Sequence, residues 1–328
     1  MPSLLRPHSV VILTGPTGVG KTALAIRLAQ ETGAQIVNAD SLQVYRELDI
    51  GTAKPSWEER ALVPHHLLDV VFPDEDFDAA DYYRWGRRII AELLERGVLP
   101  LVVGGTGLYI RVLLHGICED GVQDAGVRQE LQAVLQDQGL AVLYERLRHL
   151  DPAAAARLHP HDTARILRAL EVVMASGRPL SVQQQEHRFR DSPYHSLILA
   201  LNRPREELYA RIDARVETML AQGLVPEVQD LRRRYPSHLK PLQSLGYRHV
   251  SAYLDGQLSW AEMVAQLQRD TRRYAKRQLT WFRAEPAVQW LAPSELDRAL
   301  GLIADFLKNA GGGRDTARRA TWSGVEQL

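Results

Sequence analysis

The sequence predicts an α/β fold, P-loop NTPase-like, with a mostly parallel sheet flanked by helices and an inserted all-helical domain. Three observations carry this prediction. The apolar run Val10-Val11-Ile12-Leu13-Thr14 reads as a buried strand, breaks into Gly15-Pro16-Thr17-Gly18-Val19-Gly20-Lys21-Thr22, and passes into a helical Ala23-Leu24-Ala25-Ile26. A G-x-x-x-x-G-K-T loop between strand and helix is in its proper context. Short apolar strands then alternate with helical stretches over the first 120 residues, the pattern of a parallel sheet. Residues 121–190 hold little that reads as strand, so the sheet is interrupted there by helices.

The elements follow in order. Residues 1–9 form a short, loose lead. Residues 10–14 are the first strand, and Lys21–Thr32 the first helix, stopped near Gly33. Gln35–Asn38 is a second strand that delivers Ala39-Asp40-Ser41 at its carboxyl end, and a third strand is expected over residues 66–70. Asp78 suits the N-cap of a helix that runs to about Arg96, with Gly97 as its stop. Residues 99–103 make a strand ending in Gly104-Gly105-Thr106-Gly107. In the insertion, residues 127–138, 140–149 and 163–175 read as helices, the last with Ile166, Leu170 and Val173 on one face. Residues 196–201 return to strand, and 205–222, 226–235 and 260–282 are helical in pattern. The expected organisation is therefore a core in two parts, 1–120 and 191–285, an insertion over 121–190, and a flexible, glycine-led tail over 286–328.

Lys and Arg (40) balance Asp and Glu (40) in the 328 residues, so overall charge gives no hint of a nucleic-acid partner and its distribution must. The single cysteine, Cys118, excludes an internal disulfide and a cysteine-rich zinc site and points to a reducing, cytoplasmic setting. No apolar run has the length of a membrane span and no signal pattern precedes the first strand.

Ligands of such sheets lie at the carboxyl ends of the strands, where three polar or glycine-rich elements converge. In the phosphate loop, backbone N–H groups and a helix N-terminus surround an anion, Lys21 adds a full charge, and the Thr22 hydroxyl suits Mg²⁺. This says diphosphate or triphosphate, without saying nucleotide. Asp40 has two readings, a Mg²⁺-holding aspartate or a general base toward an acceptor's N–H or O–H. Thr106, after paired glycines, is either an incidental turn residue or a donor to a leaving-group oxygen. Arg211 and Arg215 share a helix face; they could clamp a diphosphate, or Arg211 could merely pair with Glu207 four residues earlier. Arg269, Arg272, Arg273, Lys276, Arg277 and Arg283 crowd one helical stretch whose single acid is Asp270, with Tyr274, Trp281 and Phe282 interleaved. This is a pattern for RNA phosphates and bases, or a solvated face. Arg165 and Arg168 make a weaker basic spot. The histidines lack the i, i+4 spacing of a helical metal pair.

The chain resembles the tRNA dimethylallyltransferases, or tRNA isopentenyltransferases. The resemblance rests on the phosphate loop, Asp40-Ser41-Leu42-Gln43-Val44-Tyr45, Gly51-Thr52-Ala53-Lys54-Pro55, Gly104-Gly105-Thr106-Gly107-Leu108-Tyr109, Arg165-Ile166-Leu167-Arg168-Ala169-Leu170-Glu171-Val172, Gly246-Tyr247-Arg248 and Lys276-Arg277-Gln278-Leu279-Thr280-Trp281. It implies transfer of a dimethylallyl group from its diphosphate to N6 of the adenosine 3′ of the anticodon, in tRNAs reading codons that begin with U. By the same resemblance, residues 15–20 (Gly15, Pro16, Thr17, Gly18, Val19, Gly20) with Lys21 and Thr22 hold the diphosphate with Mg²⁺. Asp40 accepts the N6 proton, Thr106 bonds at the diphosphate end, and Arg211 or Arg215 adds charge. The implied tRNA contacts are Asp40, Ser41, Leu42, Gln43, Thr106, Arg128, then Ala164, Arg165, Ile166, Leu167 and Arg168. Gln243, Ser244, Leu245, Gly246, Tyr247 and Arg248 join them, as do Lys276, Arg277, Gln278, Leu279, Thr280, Trp281, Phe282 and Arg283. The insertion resembles a domain gripping the anticodon stem-loop. With no cysteine near its end, the chain resembles the shorter bacterial form, and a monomer is expected. The rival readings are an isopentenyltransferase acting on free adenine nucleotides and a small-molecule kinase using the same loop.

Overall fold

Six strands lie side by side in the order β3-β2-β4-β1-β5-β6, every neighbouring pair parallel. They are β1 (Ser9–Thr14), β2 (Gln35–Asn38), β3 (His65–His66), β4 (Pro100–Val103), β5 (His195–Leu201) and β6 (Val288–Leu291). The structure, a computed structural model, describes residues 8–117, 124–187 and 193–309. Central β1 is buried along all six residues, as a parallel strand covered on both faces must be, and its continuous apolar sequence reflects that. Helix Lys21–Thr32 packs Leu24, Ala25 and Leu28 against Val11 and Leu13 of β1 and the apolar residues of β5. Among the described residues no helix is long and apolar enough to cross a membrane.

Two expectations fail for identifiable reasons. The strand expected over 66–70 is only His65–His66, because Leu67 and Asp69 take left-handed backbone, with φ of 61° and 55°. Extended pairing cannot pass through that conformation. The tail expected over 286–328 is structured at its start. Residues 288–291 form edge strand β6, and Leu296–Asn309 is a helix whose Leu296, Ala299 and Ile303 join the sheet core. An apolar stripe at 296, 299, 300 and 303 carried this signal in the sequence. Residues 310–328 and Cys118 lie outside the described residues.

The described residues divide into two compact units: residues 8–114 with 193–309, and residues 115–117 with 124–187. The second contains helices Ala125–Gln138, Leu140–Leu150, Pro152–Arg157, Thr163–Ser176 and Leu180–His187. They close on Leu131, Leu143, Leu147, Ile166 and Leu170. Buried Asp151 caps one helix through the Ala154 N–H and accepts both the N–H and the hydroxyl of Ser181, tying another to it.

Candidate active site

The phosphate loop leaves β1 where no side chain fits: a Cβ on Gly15 (φ 136°) would stand 2.7 Å from the Leu201 carbonyl oxygen of β5. Lys21 folds back on this loop and donates from Nζ to the carbonyls of Gly15 and Pro16, each at 2.9 Å. Burial lowers its ammonium to about 8, Arg215 pushes it the same way, and Asp40 opposes both. The three groups therefore share one electrostatic site.

Asp40 leaves the end of β2 and accepts the Leu42 N–H at 2.9 Å. The turn after β4 lies flush against it in the chain: a Cβ on Gly104 would stand 2.1 Å from the Ala39 carbonyl oxygen. This close approach brings Thr106 to the same end. Its N–H donates to Ala39, and its Oγ1 accepts the Ser41 N–H at 3.0 Å. Lys21, Thr22, Asn38, Asp40 and Gln43 line one small cavity of about 50 Å³. Tyr274 reaches the same place from helix Trp260–Arg283. Burial raises its phenol, the Asp40 charge raises it further, and the Arg277 charge opposes them.

Arg211 does not pair with Glu207. Glu207 instead holds Arg203, and Arg211 donates from Nε to the Gly18 carbonyl of the phosphate loop at 3.0 Å. Arg203 donates to the next carbonyl, that of Val19, at 2.9 Å. Burial lowers the Arg215 guanidinium; Asp40 raises it and Arg211 lowers it. One helix thus turns two arginines toward the loop. Beside it opens a groove of about 650 Å³ lined by Arg203, Arg205, Lys276, Arg283, Tyr209 and Trp290, with no carboxylate in its lining.

The basic helix divides by face. Lys276, Arg277, Thr280 and Arg283 are exposed, Leu279 and Trp281 half-buried, and Gln278 and Phe282 buried. Gln278 faces inward, accepting the Thr17 N–H and donating to the Gly105 carbonyl, both at 2.8 Å. Asp270 gathers Arg248, His249, Arg269 and Arg273. Partial burial would raise its carboxyl, but hydrogen bonds from His249, Arg269 and Arg248 prevail and hold it at about 2. In the 243–248 segment Gln243 and Arg248 are exposed, Ser244 and Leu245 half-buried, and Gly246 and Tyr247 buried. In the helical unit Arg128, Ala164, Arg165 and Arg168 are exposed, Leu167 is half-buried and Ile166 is fully buried in that unit's core. Of the implied tRNA contacts, then, Ile166, Gly246, Tyr247, Gln278 and Phe282 stand behind the surfaces that their neighbours present.

The profile of the IPP transferase family matches residues 43–285. The chain belongs to the IPP transferase family. It is 54% identical over 300 residues to the tRNA dimethylallyltransferase of Syntrophobacter fumaroxidans, covering 91% of this chain and 87% of that one. To the tRNA dimethylallyltransferase of Geobacter sulfurreducens it is 52% identical, over 90% and 96%. Its fold is similar to the crystal structure of the tRNA isopentenylpyrophosphate transferase of Bacillus halodurans, with a TM-score of 0.70, 37% identity and coverage of 93% and 98%. A eukaryotic dimethylallyltransferase acting on tRNA gives a TM-score of 0.80 at 27% identity, over 95% of this chain and 82% of that one.

For this member of the IPP transferase family, sequence reasoning missed Tyr274 and Arg203 as site neighbours and the bonds of Gln278 to Thr17 and Gly105. Tyr274 and Gln278 are four apart, on one helix face, so finding one buried at the site would have pointed to the other. Arg203 carried no such signal.

Proposed function

We propose that this chain transfers a dimethylallyl group from dimethylallyl diphosphate to N6 of the adenosine 3′ of the anticodon, in tRNAs reading codons that begin with U. The observation that carries the reading is the position of Asp40. This carboxylate is coupled electrostatically to Lys21, Arg215 and Tyr274, and the residues on either side of it, Ala39 and Ser41, are hydrogen-bonded to Thr106. A carboxylate between an anion cradle and a polar turn suits a proton acceptor facing a departing diphosphate.

The chemistry asks little else. The donor's allylic C–O bond breaks, the N6–C bond forms, the N6 proton passes to Asp40, and the electron pair leaves with the diphosphate. Backbone N–H groups at the glycines of the loop, with Lys21, Arg211 and Arg215, neutralise the charge growing on the leaving oxygens, which is where such a site stabilises its transition state. Thr106 bonds at the diphosphate end and orients it. Positioning the reactants supplies the rest.

A divalent cation fits the donor set. The Thr22 hydroxyl and Asp40 carboxylate line one cavity, and hard cations take oxygen ligands. Among the described residues no group of three His, Cys, Asp or Glu is placed to hold a metal, so diphosphate oxygens would complete the set. We assign Mg²⁺ to Thr22; bound there, it would offset leaving-group charge.

Exposed Lys276, Arg277 and Arg283, with Trp281 beside them, supply the phosphate and stacking contacts that a single-stranded RNA loop needs, and Arg128, Arg165 and Arg168 supply charge on the helical unit. The protein acts as a monomer in the cytoplasm. The test is nucleoside analysis of tRNA incubated with the protein, Mg²⁺ and dimethylallyl diphosphate, beside parallel reactions with AMP and with ATP plus small acceptors. N6-dimethylallyladenosine in tRNA is expected; unmodified tRNA, or product from AMP or ATP alone, overturns the reading.

A further inference from the structure

Gln43 lines the cavity that contains Asp40 and Lys21. Its amide nitrogen donates to two backbone carbonyls, Thr52 at 3.1 Å and Ala53 at 3.3 Å. A glutamine amide ordinarily offers both donors and an acceptor, and it can turn over to suit a ligand. With its amide nitrogen held by these two carbonyls, Gln43 keeps its carbonyl oxygen to offer the cavity. Two acceptors, that oxygen and the Asp40 carboxylate, then stand in one small site. An exocyclic amine with two N–H groups matches them. A ketone oxygen at the same position would set lone pairs against both.

The lock is only as firm as the loop that carries those carbonyls, and that loop is fixed from outside the cavity. Glu227, on helix Leu224–Arg234, accepts three successive backbone N–H groups: Asp49 at 3.2 Å, Ile50 at 2.7 Å and Gly51 at 3.0 Å. Its Oε1 also accepts the Tyr247 hydroxyl at 2.7 Å. Gly51 lies flush on the Tyr247 ring, where a Cβ would come within 2.5 Å. Ala53 takes left-handed backbone, φ 45°, a conformation that persists only where its surroundings hold it. Lys54 holds it from the far side, through Asp49, Asp69 and the Tyr45 carbonyl.

We propose that Glu227 is a positioning residue for substrate choice: by anchoring residues 49–53 it locks the Gln43 amide as an acceptor, so that the site takes a 6-amino purine and rejects a 6-keto purine. This rests on the reading of the cavity as an adenosine site. A merely structural Glu227 would weaken all RNA binding alike, whereas the lock affects the choice between bases.

The experiment compares anticodon stem-loop RNAs carrying adenosine, inosine or an abasic residue 3′ of the anticodon, bound by the full chain and read by fluorescence anisotropy. Transfer from dimethylallyl diphosphate to the adenosine loop is measured alongside. The wild-type protein is expected to bind the adenosine loop at least tenfold more tightly than the inosine loop. In Glu227→Ala that ratio falls toward one while abasic-loop affinity is kept. In Glu227→Gln, which retains one acceptor oxygen, the ratio is intermediate. Should Glu227→Ala fail to fold by circular dichroism, Glu227→Gln decides alone. A ratio unchanged in the folded variants, or equal weakening of all three loops, overturns the lock. A wild-type protein that transfers nothing to the adenosine loop overturns the parent reading instead, and this one with it.

Discussion

The Gln278 side chain accepts the backbone N–H of Thr17 at 2.8 Å across 261 residues of sequence, and with its other end donates to Gly105. A helix that carries the basic surface is thereby bonded to both the phosphate loop and the turn that bears Thr106. The Gly105 bond is buried and the Thr17 bond partly so, so their loss leaves two backbone groups short of partners. Gln278→Leu is expected to lower kcat/KM for the isoprenoid diphosphate by roughly ten- to a hundredfold, and to lower stability by about 1–3 kcal/mol for each orphaned group. Steady-state kinetics with urea unfolding checks both; unchanged donor kinetics would reduce the bond to a packing detail.

That bond also marks where reading the sequence stops. The phosphate loop, its flanking elements, Asp40 and Thr106 are legible because strand, turn and helix signals agree over a dozen residues. Partner choice is not. Glu207 lies four residues from both Arg203 and Arg211, so helical spacing allows either pair, and the tertiary position of the loop carbonyls decides. Gln278 sits in a run of charges that reads as surface, and only the packing of its helix against Gly105 turns it inward. The short β3 fails for a backbone reason: Leu67 takes a left-handed conformation that its residue type does not announce, and Asp69, a type that tolerates it, signals it only weakly. The helix Leu296–Asn309 is legible by its apolar stripe, although it lies outside every motif.

Lys21 sets a pH limit. Its ammonium is lowered to about 8 by burial first and Arg215 second, and the protonated form is the one that attracts diphosphate. Below about pH 8 the free protein presents a charged Lys21; above it, the charge is lost before the donor arrives. The expected profile of kcat/KM for the donor is flat up to about 8 and then falls roughly tenfold per pH unit. A bound diphosphate favours the proton, so the fall in kcat comes at higher pH. If kcat/KM stays flat to pH 10, Lys21 is not the titrating group.

The exposed basic face makes a salt-dependence prediction. Arg277 is exposed, and Arg273 is exposed and only loosely engaged with Asp270 at 3.5 Å. Replacing both by glutamine is expected to weaken tRNA binding and to reduce the slope of log K against log salt by about 0.7–0.9 per lost phosphate contact. Binding measured over a range of KCl concentrations decides this; an unaltered slope leaves the face merely solvated.

The carboxyl-terminal helix should matter for stability and not for chemistry. Ile303 is 2% exposed and packs in the sheet core. Ile303→Ala is expected to cost about 2–5 kcal/mol, the range for a large-to-small change in a packed core. Transfer kinetics below the melting temperature should be unaltered. Thermal and denaturant unfolding read the first, and single-turnover kinetics the second.

Asp40 gives the sharpest test of the chemistry, because its two roles separate under one substitution. Asp40→Asn keeps the side chain's size and its Oδ1 bond to the Leu42 N–H while removing the base. If Asp40 takes the N6 proton, single-turnover transfer should fall by about 10²–10⁴, the usual contribution of a positioned base, with tRNA affinity within a few-fold. If Asp40 serves a cation instead, the loss should shrink as Mg²⁺ is raised, because a weakened site refills by mass action. A base cannot be replaced in that way. A rate that recovers at high Mg²⁺ therefore assigns Asp40 to the metal, and one that stays low at every Mg²⁺ concentration assigns it to the proton.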